Sequence, residues 1–173
     1  MSKHKLFVNI LTLFGLFLGA GAVILAIKGH IGLAIAMIFL SALIDRYDGK
    51  WARKYRVESM LGAWLDTSND VVSFLLAPIA LLFILGWLPL DFISIFVVVL
   101  WLAAGFYRLY RFQHQADKAE IVQGLPSTMA GTLLLLMATI LSLIGTILIH
   151  PLLLFVLLLL SLAMMSSRRY KKY

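Results

Sequence analysis

At 173 residues, 62% hydrophobic and only 13% charged, with a mean hydropathy of +1.00, the chain is sized for one domain, residues 1–173, and composed like a membrane protein. Its net charge of +7 does not indicate nucleic acid, because the basic residues flank apolar runs rather than form a patch of their own. The lack of cysteine excludes disulfides and thiolate metal sites.

The apolar run 6–27 predicts a first transmembrane helix, too long and too poor in a small-residue cleavage pattern for a removed signal. Residues 31–44 are too few to span alone, so the second helix is expected to continue to about Lys54. A third runs from about Ser59 to Leu88, with Asp66 and Asp70 near its start. Further apolar stretches at 91–112, 125–148 and 150–167 follow, the last two divided by a tight turn expected at His150-Pro151. The expected fold is therefore all-α, an integral membrane protein of six transmembrane helices.

Basic residues set the orientation. Lys3 and Lys5 precede helix 1. Arg46, Lys50, Arg53, Lys54 and Arg56 surround the turn between helices 2 and 3. Arg108, Arg111 and Lys118 surround the connection between helices 4 and 5, and Arg168, Arg169, Lys171 and Lys172 close the chain. Of the fifteen Lys and Arg, only Lys28 falls on the other side. The positive-inside rule puts both termini and the loop between helices 2 and 3 at the cytoplasmic face. The four histidines lie at loop ends, as expected of interfacial residues.

The acids are concentrated. Four of eight carboxylates, Asp45, Asp48, Asp66 and Asp70, fall within DRYDGKWARKYRVESMLGAWLDTSND, with Glu58 between the pairs. Asp45 and Asp48 are three apart, Asp66 and Asp70 four apart, so each pair shares a helix face. Helix 2 descends to a turn near Arg56 and helix 3 returns antiparallel to it. Asp45 and Asp66 then lie at similar depth, each ~15 Å from the turn. Ionisable groups in a membrane segment mark a functional site by default, here expected between helices 2 and 3. Carboxylates ~4 Å apart repel by about 1 kcal/mol in water and about 4 at an effective dielectric of 20. Protonation, pairing with Arg46, Arg53 and Arg56, or divalent cations would each relieve this. The oxygen-only donor set suits magnesium, manganese or calcium, and the absence of histidine argues against zinc.

The spacing Asp45-x2-Asp48-Gly49-x2-Ala52-Arg53-x8-Gly62-x3-Asp66-x3-Asp70 resembles the signature of the CDP-alcohol phosphotransferase family at every fixed position. The six-helix layout and the Asn9-Ile10-Leu11-Thr12 segment fit the same family. The resemblance implies transfer of a phosphatidyl group from CDP-diacylglycerol to an alcohol with release of CMP. It makes Asp45, Asp48, Asp66 and Asp70 ligands of two magnesium or manganese ions, and Asp70 also the general base. Asp48, Gly49, Ala52, Arg53 and Gly62 become the cradle of the CDP-lipid. A homodimer in the cell membrane, with membrane lipids as partners and no nucleic acid, is part of the same expectation. Arg108-Leu109-Tyr110-Arg111-Phe112 and Gly124-Leu125-Pro126-Ser127 resemble segments of the short phosphatidylserine synthases. Tyr110, Gln113 and Thr128 depart from the usual residues there. On this resemblance Arg108 and Arg111 pair with the carboxylate of L-serine, although they also suit a plain cytoplasmic anchor, and the Gly124–Ser127 stretch a plain helix start. The rivals are another acceptor, such as glycerol 3-phosphate or inositol phosphate, and a divalent-cation transporter, which would leave Gly49, Ala52, Arg53 and Gly62 unexplained.

Overall fold

The computed structural model describes residues 3–55, 59–114, 121–145, 148–166 and 169–171, the side chains at 3, 53, 121–123 and 169–171 excepted. Arg56, Glu58, Lys118, Arg168 and Lys172, and the side chains of Lys3, Arg53, Arg169 and Lys171, lie outside that description. Six helices stand where hydropathy places them: α1 (Lys3–Ile27), α2 (Ile31–Tyr55), α3 (Met60–Ile84), α4 (Phe92–His114), α5 (Ser127–Ile144) and α6 (Ile149–Met165). The segments His4–Ile27, Met60–Ile84, Phe92–His114 and Ser127–Ile144 are long and apolar enough to cross a membrane. Helix α6 is shorter, at 17 residues, and α2 carries the charged half of the acidic motif.

The chain forms two compact units, residues 1–81 and 82–173. In the first, α1 lies along α2 and also packs against α3. His4 stacks on Tyr55, ring centroids 4.4 Å apart, and Phe7 meets Trp51, so aromatic contacts fasten the start of α1 to the end of α2. Further along, small residues bring the backbones together. A Cβ added at Gly19 would fall 2.0 Å from Ser73 Oγ, and one at Gly15 would fall 3.3 Å from the Asn69 side chain. Helix α3 is regular from Met60 to Asn69, then widens into a π-helical stretch from Asp70 to Leu76 before resuming at Ala77. There the Ala77 N–H bonds to the Val72 carbonyl, five residues back.

In the second unit α6 packs against both α4 and α5, with Trp101, Leu134, Leu135, Leu153 and Leu157 in the core. The Ser94 N–H donates to Asp91 Oδ1 (2.7 Å), and Ser94 Oγ lies 3.0 Å from His150 Nε2, which joins the starts of α4 and α6. The Ser94 bonds hold the Asp91 carboxyl below the usual carboxylate range.

One expectation needs correction. The break between the last two helices is not at His150-Pro151. Helix α5 ends at Gly145, in the left-handed conformation (φ 67°) that glycine adopts without strain. His150 and Pro151 fall in the first turn of α6, where a missing N–H leaves no helical bond unmade. The fold class is all-helical, as expected, with one small addition. Strands β1 (Ile121–Gln123) and β2 (Arg169–Lys171) form a short antiparallel ribbon, with Val122 opposite Tyr170.

Candidate active site

The acidic motif converges in the first unit. Asp45 and Asp48 from α2 and Asp66 from α3 each offer a carboxylate oxygen, all within 4.8 Å of one another. This is the meeting that equal depth on two antiparallel helices predicts. Asp48 is the most enclosed of the three, with 2% of its surface exposed. Its Oδ2 accepts a 2.7 Å hydrogen bond from the Thr12 hydroxyl of α1. Its Oδ1 is buried and has no hydrogen-bond partner among the described residues. Buried polar atoms are nearly always satisfied. A buried, unsatisfied oxygen on one of three converging carboxylates belongs to an all-oxygen donor set that suits a hard divalent cation. The residues therefore fit the metal that the motif implies.

Asp70 stands outside this trio, at the end of the regular part of α3. Its backbone N–H bonds to the carbonyls of Asp66 and Thr67, and its charge is close enough to act on Asp48. Gly49 and Ala52 are half-buried on α2. Arg46, offered as an ion-pair partner, is exposed. Gly62 lies in the first turn of α3, where its N–H donates to the capping Ser59 hydroxyl (3.2 Å). A Cβ at Gly62 would meet Asn9 Oδ1 of α1 at 3.3 Å.

The site is thus walled by three helices, not the two that carry the motif. Asn9 and Thr12 are buried polar residues of α1, one opposite Gly62 and the other bonded to Asp48. Their signal was available: two polar side chains three residues apart in an otherwise apolar helix.

Arg108 and Arg111 belong to the second unit. Buried Arg108 donates from Nη1 to the Ser127 hydroxyl at the start of α5. Arg111 donates from Nη2 to the carbonyls of Met164 (3.4 Å) and Ser166 (3.1 Å), and from Nη1 to that of Met165 (3.4 Å), at the end of α6. Gly124 (φ 73°) passes so close that a Cβ there would lie 2.5 Å from the Met164 carbonyl and 2.9 Å from Arg111. The two late motifs are therefore one structural knot.

The pattern of the CDP-alcohol phosphatidyltransferase family matches residues 5–166. The chain belongs to that family. Among its curated relatives is a CDP-diacylglycerol–serine O-phosphatidyltransferase of Bacillus subtilis, 31% identical over 105 residues, 61% of this chain and 59% of the relative. One of the same name from Methanocaldococcus jannaschii is 39% identical over 140 residues, 81% and 64% of the two chains. An archaetidylserine synthase of Methanothermobacter thermautotrophicus is 31% identical over 124 residues, 70% and 53%. The chain thus spans between half and two thirds of the length of these family members.

Proposed function

We propose that this family member transfers a phosphatidyl group from CDP-diacylglycerol to L-serine, forming phosphatidylserine and releasing CMP. The observation that carries the reading is the buried, unpartnered oxygen of Asp48 within a three-carboxylate cluster, in a chain that matches the family over residues 5–166. Asp45, Asp48 and Asp66, with Asp70 at the edge, would hold magnesium or manganese, two ions by the family pattern. A bound divalent ion would neutralise the pyrophosphate and stabilise the oxygen on which CMP departs. Gly49, Ala52 and Gly62 keep side-chain bulk away from the nucleotide, and Arg53 supplies a fork for phosphate oxygens. Asp70 takes the proton of the serine hydroxyl as its oxygen bonds to phosphorus and the bond from phosphorus to CMP breaks.

Serine is favoured by the names of the Bacillus and Methanocaldococcus relatives and by the likeness of the Arg108–Phe112 and Gly124–Ser127 segments to phosphatidylserine synthases. Arg108 and Arg111, candidates for the acceptor carboxylate, already hold partners within the chain, so they also build the fold. Purified full-length protein should release CMP from CDP-diacylglycerol when L-serine is added, and make a serine lipid. Stimulation by glycerol 3-phosphate or inositol phosphate instead would replace the acceptor. Failure to release CMP with any of these acceptors would refute the transferase reading and leave cation transport as the rival.

The reading carries a setting: one domain in the cell membrane, six helices spanning it, working as a homodimer, with the site and both termini cytoplasmic. The support is the distribution of basic residues, with Lys28 alone on the opposite side. A reporter fused after Tyr173 is expected to read the inside, and one that reads the outside overturns the orientation.

A further inference from the structure

We propose that Asn69 is a positioning residue for the metal site, holding the Asp45 carboxylate in its binding orientation through an amide that Ser73 fixes. The proposal rests on the metal reading above. Asn69, Ser41 and Ser73 are all fully buried. Asn69 Nδ2 lies 3.4 Å from Asp45 Oδ1, and its Oδ1 accepts from Ser73 Oγ at 2.8 Å. Ser41 Oγ is 3.3 Å from the same amide oxygen but 3.0 Å from the Gly15 carbonyl. Each hydroxyl has one proton. The shorter contacts assign that of Ser41 to Gly15 and that of Ser73 to Asn69.

This settles which way the amide faces. A carboxylate only accepts, so Asn69 must turn its NH₂ toward Asp45, and Ser73 donates to the oxygen left at the other end. Helix α1 closes the arrangement, since a side chain at Gly19 would strike Ser73 and one at Gly15 would crowd Asn69. A buried polar network is costly unless its members are satisfied, and an apolar residue at 69 would pack the helices at least as well. What the network adds is a fixed Asp45 beside Asp48 and Asp66. Groups that orient a metal ligand typically change affinity by about 10–100-fold when removed.

The test is Mn²⁺ binding to the purified full-length protein in detergent, read by electron paramagnetic resonance without turnover. Asn69→Leu, close in volume but without the amide, should raise the Mn²⁺ Kd by about 10–100-fold. Ser73→Ala keeps Asn69 but frees its amide and should raise Kd by a smaller factor, roughly 3–10-fold. In both, the Mn²⁺ concentration for half-maximal CMP release should rise by the same factor, with the rate recovering at saturating Mn²⁺. A residue that only packed would lower the melting temperature in EDTA without moving Kd. Should Asn69→Leu fail to fold, Ser73→Ala decides alone. Wild-type Mn²⁺ affinity in the folded variants overturns the proposal. A wild type that binds no Mn²⁺ overturns the metal reading, and this proposal with it.

Discussion

In Asp48→Asn, CMP release is expected to fall by roughly 10²–10³-fold or more at saturating magnesium, while the metal-free protein should be no less stable than wild type. The two halves share a cause. Asp48 is buried, one oxygen takes the Thr12 hydroxyl and the other has no hydrogen-bond partner among the described residues. A buried carboxylate in that condition opposes folding unless a cation completes it, so removing its charge should not weaken the empty protein. The same change removes the charge of the most enclosed carboxylate of the cluster. Losing a few kcal/mol of charge stabilisation in the transition state corresponds to the stated rate loss, at about 1.4 kcal/mol per tenfold. Thermal melting with and without Mn²⁺ provides the second readout. Wild type should gain about 2.7 kcal/mol at a metal concentration 100 times Kd, and the variant should gain far less. A variant that keeps wild-type turnover, or is stabilised equally by Mn²⁺, would show that Asp48 is not a ligand.

Asp70→Asn separates base from ligand. Asp45, Asp48 and Asp66 form the close trio, and Asp70 lies one turn beyond Asp66. That position suits a group reaching an incoming hydroxyl rather than one holding the pyrophosphate. Asparagine keeps the shape but cannot accept the proton, so single-turnover CMP release should drop by roughly 10²–10⁴-fold. Equilibrium binding of CDP-diacylglycerol should be largely retained. Asp66→Asn should lose both, because it removes a member of the trio. If Asp70→Asn binds the lipid as poorly as Asp66→Asn, Asp70 is chiefly a ligand and the base lies elsewhere. Unimpaired turnover would remove it from both roles.

The helices were legible because each needs a long apolar run, and such runs are visible residue by residue. The carboxylate trio was legible too, since the spacings of Asp45, Asp48 and Asp66 place them on facing stripes whose depth follows from helical rise alone. The partners of those carboxylates were not. Thr12 stood within the Asn9–Thr12 segment without its role being visible, and Asn69, which bonds to Asp45, is uncharged and carries no signal of its own. Pro151 misled because proline breaks a helix in its interior yet fits its first turn, and only the cap at Leu148 distinguishes the two. The β1–β2 ribbon involves three residues on each strand, too few for a periodic signal. Its pairing depends on segments nearly fifty positions apart.

The wide turn at Asp70–Leu76 has the form of a single residue spliced into an otherwise regular helix. Each residue of an α-helix rotates the chain by about 100°, so one surplus residue turns the frame after it by about that angle relative to the frame before it. Asp66 and Asn69 keep the phase required by α2. From Ala77 onward, the side chains stand on faces offset from those that an unbroken α-helix would give. The half that carries Asp66 and Asn69 and the apolar half beyond Ala77 therefore combine two headings that one uninterrupted α-helix could not.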